Sequence, residues 1–225
     1  MFECKFCHKS FVRERTLFAH SCANKLRHQQ RDETGVRIGF QTFLRFYELT
    51  QGSSKTKTYE DFCDSKFYAA FVKFGRHCVA VRCPNPKSFG DFLLEKYMKK
   101  IDYWCKDEYY LEWLHAYIRK ESVEDAITRA IEEMVAYEES GSISNYADYF
   151  RTGNTNRIIH HIVNGRITPW ILFKSQSGIE WLSKLTSQQE QMIIEWIDPD
   201  FWTKKFKDYP ADAAWAEESL MKAGL

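Results

Sequence analysis

The chain has 225 residues, of which 44% are apolar, 28% charged and 16% aromatic, with a formal net charge of +1. This balance belongs to a globular protein and excludes a disordered one, and no run approaches the roughly 20 uncharged residues of a membrane-spanning helix. The near-neutral total conceals a division. Residues 1–58 hold eleven Lys/Arg against five Asp/Glu, while the remainder holds 21 against 26, so positive potential gathers at the end where phosphate would be attracted.

The first 22 residues read Phe2-x-Cys4-x2-Cys7-x3-Phe11-x5-Leu17-x2-His20, with Cys22 two places further on. Two thiolates two residues apart suit a knuckle between short strands, and the twelve residues that follow suit a turn and a helix returning His20 to the same point. Phe11 and Leu17 are spaced to pack between hairpin and helix, with Phe2 closing the strand side. This segment resembles the classical C2H2 zinc-finger family in spacing and in all three packing positions, over about a tenth of the chain. The resemblance implies a small ββα unit folded around Zn2+, with the metal supplying free energy that so short a segment lacks.

The fourth ligand departs from the family, which expects His or Cys where Asn24, Lys25 and Leu26 stand. Cys22 is nearest, but residues i and i+2 of a helix point about 200° apart. The helix must therefore unwind just after His20 if Cys22 is to bind. His28, more than two turns on, would need a loop to fold back, and His8 in the turn after Cys7 is expected to face solvent. The preferred set is Cys4, Cys7, His20 and Cys22. Carried onto this sequence, the family's base-reading positions fall at Arg13, Arg15, Thr16 and Ala19, and an Arg just before the helix could donate a bidentate pair to guanine. Phosphate contacts would fall to Lys5, Lys9, Lys25, Arg27 and Arg31. A single finger covers about three base pairs, so specificity would need help from elsewhere.

After the finger, Asn24 to Arg31 forms a basic stretch with no helix breaker, and Asp32-Glu33-Thr34-Gly35 reads as a boundary. Val36, Phe40, Phe43, Leu44 and Tyr47 recur at helical spacing, the segment from Gln51 to Thr58 is a basic loop by composition, and Phe62 to Phe74 resumes an aromatic helical pattern. Helices are predicted over 88–99, 107–120 and 122–139, the last with Ser122 as N-cap and Asp125 three residues on. A short helix through Ile158, Ile159, Ile162 and Val163 should stop at Asn164-Gly165, and Thr168-Pro169 should open the next. Ser187 with Glu190 should cap another, ending at Asp198-Pro199, before one C-terminal helix to Ala223-Gly224. Trp170, Trp181, Trp196, Trp202 and Trp215 read as core. The fold expected is mainly α, an N-terminal ββα finger with its basic extension over 1–31 and a helical domain over 36–225, with a sub-boundary near 140–145.

Cys63, Cys78, Cys83 and Cys105 lie scattered among apolar residues, as small buried hydrophobes of a reduced compartment do. His160-His161 is the most enzyme-like cluster outside the finger, but neighbouring helical residues diverge by about 100°, so one should be packed and the other exposed. Phosphate-binding glycine loops and nucleophile elbows are missing from the sequence. The stretches Phe71-Val72-Lys73-Phe74-Gly75-Arg76, Pro169-Trp170, Asp198-Pro199-Asp200-Phe201-Trp202 and Lys205-Phe206-Lys207-Asp208-Tyr209 are similar to uncharacterised proteins of large tailed bacteriophages of the T4 group. That similarity implies a protein of the bacterial cytoplasm, and with the finger motif opening at Phe2 no signal peptide is expected. The expectation is a non-enzymatic zinc-finger protein that binds DNA or RNA, an accessory or regulatory factor in phage genome handling or transcription, with a protein partner on the helical domain and no membrane. A protein-interaction adaptor is the alternative reading, and an enzyme acting on nucleic acid the third.

Overall fold

Phe2–Glu3 (β1) and Ser10–Phe11 (β2) pair antiparallel, Phe2 opposite Phe11 and Glu3 opposite Ser10, in a computed structural model that describes residues 1–52 and 57–225. All remaining elements among the described residues are helical. The fold is mainly α, as the periodicity predicts. The chain divides into two compact units, Met1–Tyr110 and Leu111–Leu225.

In the first unit the hairpin leads into α1 (Glu14–Ala19) and α2 (Ala23–Gln29), followed by α3 (Thr34–Gln51), α4 (Tyr59–Asp64), α5 (Tyr68–Ala80) and α6 (Pro86–Tyr97). Thr34 and Gly35 belong to the first turn of α3 rather than to a boundary, and the reason lies across the unit. Gly35 and Gly39 bring α3 into backbone contact with Gly75 of α5, where an added Cβ would stand 1.9 Å from the Gly35 carbonyl oxygen. Around this crossing Phe43, Phe62, Phe71 and Phe74 are fully buried, and Trp104 meets Phe71 and Phe74 edge-on at 5.7 and 5.6 Å.

The aromatic pattern from Phe62 to Phe74 is two helices, not one. Ser65 turns extended, and its hydroxyl accepts the Phe67 amide at 3.1 Å, a local bond that competes with the helix ladder. Thr58 and Asp61 form a reciprocal capping box at the start of α4. Arg82, in the left-handed region at φ 50°, closes α5 by sending its amide to Val79 and that of Cys83 to Cys78. The basic loop expected from Gln51 to Thr58 includes residues 53–56, Lys55 among them, which lie outside the described residues.

A 3₁₀ turn (Met98–Tyr103) precedes α7 (Asp107–Ile118), which continues into the second unit. There α8 (Val123–Glu139) is capped by Ser122, whose hydroxyl accepts the Asp125 amide at 3.1 Å. A 3₁₀ turn at Tyr146–Asp148, α9 (Tyr149–Thr152), α10 (Thr155–Val163), α11 (Pro169–Lys174) and α12 (Gln176–Leu182) follow. The next helix, α13 (Ser187–Ile197), is capped by a Thr186/Gln189 box one residue earlier than the Ser187/Glu190 pair expected.

The C-terminal helix is split into α14 (Pro199–Asp208) and α15 (Pro210–Lys222), because the Pro210 ring keeps Tyr209 out of the helical region. Trp170, Trp181 and Trp202 build the core of this unit, with Trp170 and Trp202 5.9 Å apart. Trp196 only packs against that core, and Trp215 is 40% exposed, so these two differ from the expectation of five core tryptophans. Among the described residues no helix is long and apolar enough to cross a membrane.

Candidate metal centre

The donor atoms of Cys4, Cys7, His20 and Cys22 all lie within 4.8 Å of one another. Each arrives there for a local reason. Cys4 follows β1 and is only 4% exposed; its amide donates to the Lys9 carbonyl at 3.0 Å, and its own carbonyl accepts from His8 at 2.8 Å. That tight turn places His8 at φ 56°, a left-handed position, with its ring exposed and bonded to Glu3 at 2.9 Å. His8 therefore faces solvent, as expected. Phe11, at the end of β2, packs its ring 4.7 Å from that of His20.

The fourth donor depends on where α1 stops. The helix ends at Ala19, His20 is already extended at φ −69°, ψ 124°, and Cys22 is extended at φ −133°, ψ 161° before capping α2. Residues i and i+2 of an extended chain project to the same side, so unwinding after His20 gives Cys22 the direction that a continuous helix would deny it. The Cys7 Sγ lies 3.3 Å from His20 Nε2, and the Cys22 sulfur accepts the Lys25 amide at 3.4 Å. His28 is outside the cluster. Its ring is held between Phe6 at 4.9 Å and Tyr59 at 5.5 Å.

Electrostatics within the cluster follow from three sulfurs sharing one place. The Phe6 amide, with lesser help from that of Cys7, stabilises the Cys4 thiolate and holds its pKa below the ordinary value. The Lys9 amide favours the Cys7 thiolate too, but burial and the neighbouring Cys4 and Cys22 sulfurs outweigh it and push the Cys7 thiol up. A cation reverses such mutual repulsion and deprotonates coordinating thiols. Three sulfurs and one imidazole are a soft, four-donor set of the kind that tetrahedral metal sites use, and with the two-stranded sheet and short helix the arrangement is compatible with a zinc finger.

The basic residues singled out by the sequence have different placements. Arg13, Arg15 and Thr16 are exposed on or beside α1, Lys5 and Lys9 are exposed on the hairpin, and Arg31 lies exposed over the Tyr59 ring at 5.2 Å. Lys25 is half-buried and its Nζ donates to the His20 carbonyl at 3.2 Å. Arg27 points inward, donating to the Cys63 carbonyl and stacking over Tyr68 at 4.3 Å. Next to it, Asn24 donates to the Phe6 carbonyl at 3.2 Å and to Asp64 at 2.6 Å, and Tyr59 donates to the Arg27 carbonyl at 2.7 Å. The finger is thereby tied through α2 to α4. Spacing alone does not single out Phe18, yet it is 83% exposed. Its signal was present, since adjacent helical residues Leu17 and Phe18 cannot both face one small core.

The histidine pair of the second unit separates as expected. His161 is fully buried, with Nδ1 2.6 Å from the Tyr149 hydroxyl and Nε2 3.5 Å from Glu133, whereas His160 is exposed. No family model matches the chain, and neither a curated protein nor a solved structure does.

Proposed function

We propose that this is a zinc-finger protein that binds nucleic acid without acting on it chemically. In this reading it is an accessory or regulatory factor in genome handling or transcription, of a bacteriophage in its host's cytoplasm. The convergence of Cys4, Cys7, His20 and Cys22 carries the reading. Zinc suits that donor set: bond lengths of about 2.3 Å to sulfur and 2.0 Å to nitrogen in a tetrahedron put S and N about 3.5 Å apart, close to the 3.3 Å between Cys7 and His20. Charge supports the second half. The unit holding the finger has twenty Lys/Arg against thirteen Asp/Glu, +7, while the other unit has twelve against eighteen, −6. Lys5, Lys9, Arg13, Arg15, Lys25 and Arg31 would contact phosphates, with Arg13, Arg15 and Thr16 nearest to bases; Arg27 serves the fold instead.

The test is salt-dependent binding. In the variant with Arg13, Arg15 and Lys25 all changed to Ala, the slope of log affinity against log salt should shrink by about 2–3, since each lost phosphate contact removes roughly 0.7–0.9. Zinc content is measured alongside, because Lys25 also bonds His20. An unchanged slope and affinity would remove the reading. The ties from Asn24 and Arg27 to α4 favour a second one, in which the finger braces its own helical unit or clamps a protein partner. Oligonucleotides would then bind no better than a neutral polymer, and zinc removal would loosen the first unit.

A further inference from the structure

A mainly apolar cavity of about 290 Å³ opens on the N-terminal segment, with the donors Cys4 and His20 at its base, Phe6, Leu17 and Phe18 as its apolar wall, and Lys5, Lys25 and Glu3 around it. Its size falls just below the range of ligand pockets, about 300–1,000 Å³, room for one ring system rather than a run of side chains. An exposed phenylalanine alone is ordinary. Phe18 is not alone, because it stands at an apolar hollow on a unit of charge +7, one turn from Arg15 on the same helix face.

The two lysines of the wall specify the partner further. Lys25 gives one of its three ammonium protons to the His20 carbonyl and keeps two. Lys5 is exposed, its Nζ 5.0 Å from the Phe6 ring centre. Glu3 is the acid of the lining, and His8 engages its carboxylate. A flat aromatic base, with backbone phosphates to either side of it, suits the apolar wall and the two ammonium groups. In a duplex, base faces are stacked and only edges reach the grooves. An apolar hollow with an aromatic wall therefore requires a base that has left the stack.

We propose that this cavity receives one unpaired base of single-stranded nucleic acid, stacked on Phe18, with Lys5 and Lys25 on the flanking phosphates. The proposal rests on the nucleic-acid reading above and adds strandedness to it. The experiment uses the zinc-loaded full chain and fluorescence anisotropy with a mixed-sequence strand of about 12 nucleotides, the same strand as a duplex, an abasic strand with the same phosphates, and an acidic aromatic peptide. The single strand should bind at least about tenfold tighter than the duplex and the abasic strand. Phe18→Ala should weaken single-strand binding about tenfold, within the range for loss of one stacking partner, and leave duplex binding unchanged, while Phe18→Tyr should keep it. Being exposed, Phe18 can be changed without unfolding the finger, and zinc content verifies this. Equal affinity for duplex or abasic strand, indifference to Phe18→Ala, or tighter binding of the peptide would overturn the proposal while salt-dependent nucleic-acid binding stood. Absence of salt-dependent binding to every oligonucleotide would take down the broader reading with it.

Discussion

The finger and the α3–α5 crossing lie in the same unit and hold together by opposite means. In residues 1–22 a single side chain, that of Cys4, is buried, and Phe2 at the hairpin edge remains 40% exposed. At the crossing, four phenylalanines and Trp104 are sealed and two helices touch through glycine backbone. Burial on the order of 25 cal/mol per Å2 of apolar surface can fold the second region, but the first has too little surface to remove from water. On the zinc-finger reading proposed above, folding free energy in residues 1–22 would come from coordination, whereas at the helix crossing it comes from close packing.

The largest effect that sharpens this contrast is metal removal. Structural zinc contributes about 10–16 kcal/mol in finger peptides, so a chelator should collapse the amide resonances of residues 2–22 to random-coil positions while the helical signal of the chain changes little. Cys22→Ser should release the metal and His28→Ala should retain it. A finger that keeps its dispersed resonances without metal would break the comparison.

Gly75→Ala comes next. Its Cβ would fall 1.9 Å from the Gly35 oxygen, and the helices would have to separate. Overpacking typically costs about 1–3 kcal/mol, here at the upper end, read as a lower urea midpoint with zinc content unaltered.

The smallest effect is one of pH. Burial, outweighing the attraction of Asp107 and assisted by Lys73, holds His77 of α5 below its ordinary value of 6.5. The unfolded chain takes up the proton first. The contribution is therefore in full force above 6.5 and is lost as the pH falls from there through the lower value of the folded state. The stability of the first unit should fall between pH 7.5 and 5.5, and His77→Gln should flatten that slope.

Legibility in the sequence follows the same contrast. Coordination leaves a strong signature, because donor types and spacing are nearly the whole of the site, and Cys4, Cys7, His20 and Cys22 could be read with only the unwinding at His20 to be supplied by argument. Caps were legible for the same reason: Ser122, Asn164-Gly165 and Thr168-Pro169 act within a few residues of themselves. Packing is relational, and its signs were weaker. Gly35 reads as a turn residue until Gly39 is noticed four places on, and only Gly75, forty residues away, explains both. Arg27 reads as one more surface cation because nothing local says that the Cys63 carbonyl and Tyr68 ring wait for it. The splits at Ser65 and Tyr209 were local and readable, the one in a hydroxyl two residues before an amide, the other in a proline.

The extended link from His20 through Ser21 to Cys22 has one more consequence. Since the two donors share a side only because a single residue separates them, the identity of that residue is free and its number is not. Ser21 should accept almost any side chain, yet a one-residue insertion or deletion there would aim the last sulfur outward. Drift at this joint would thus be tolerated in chemistry and forbidden in length.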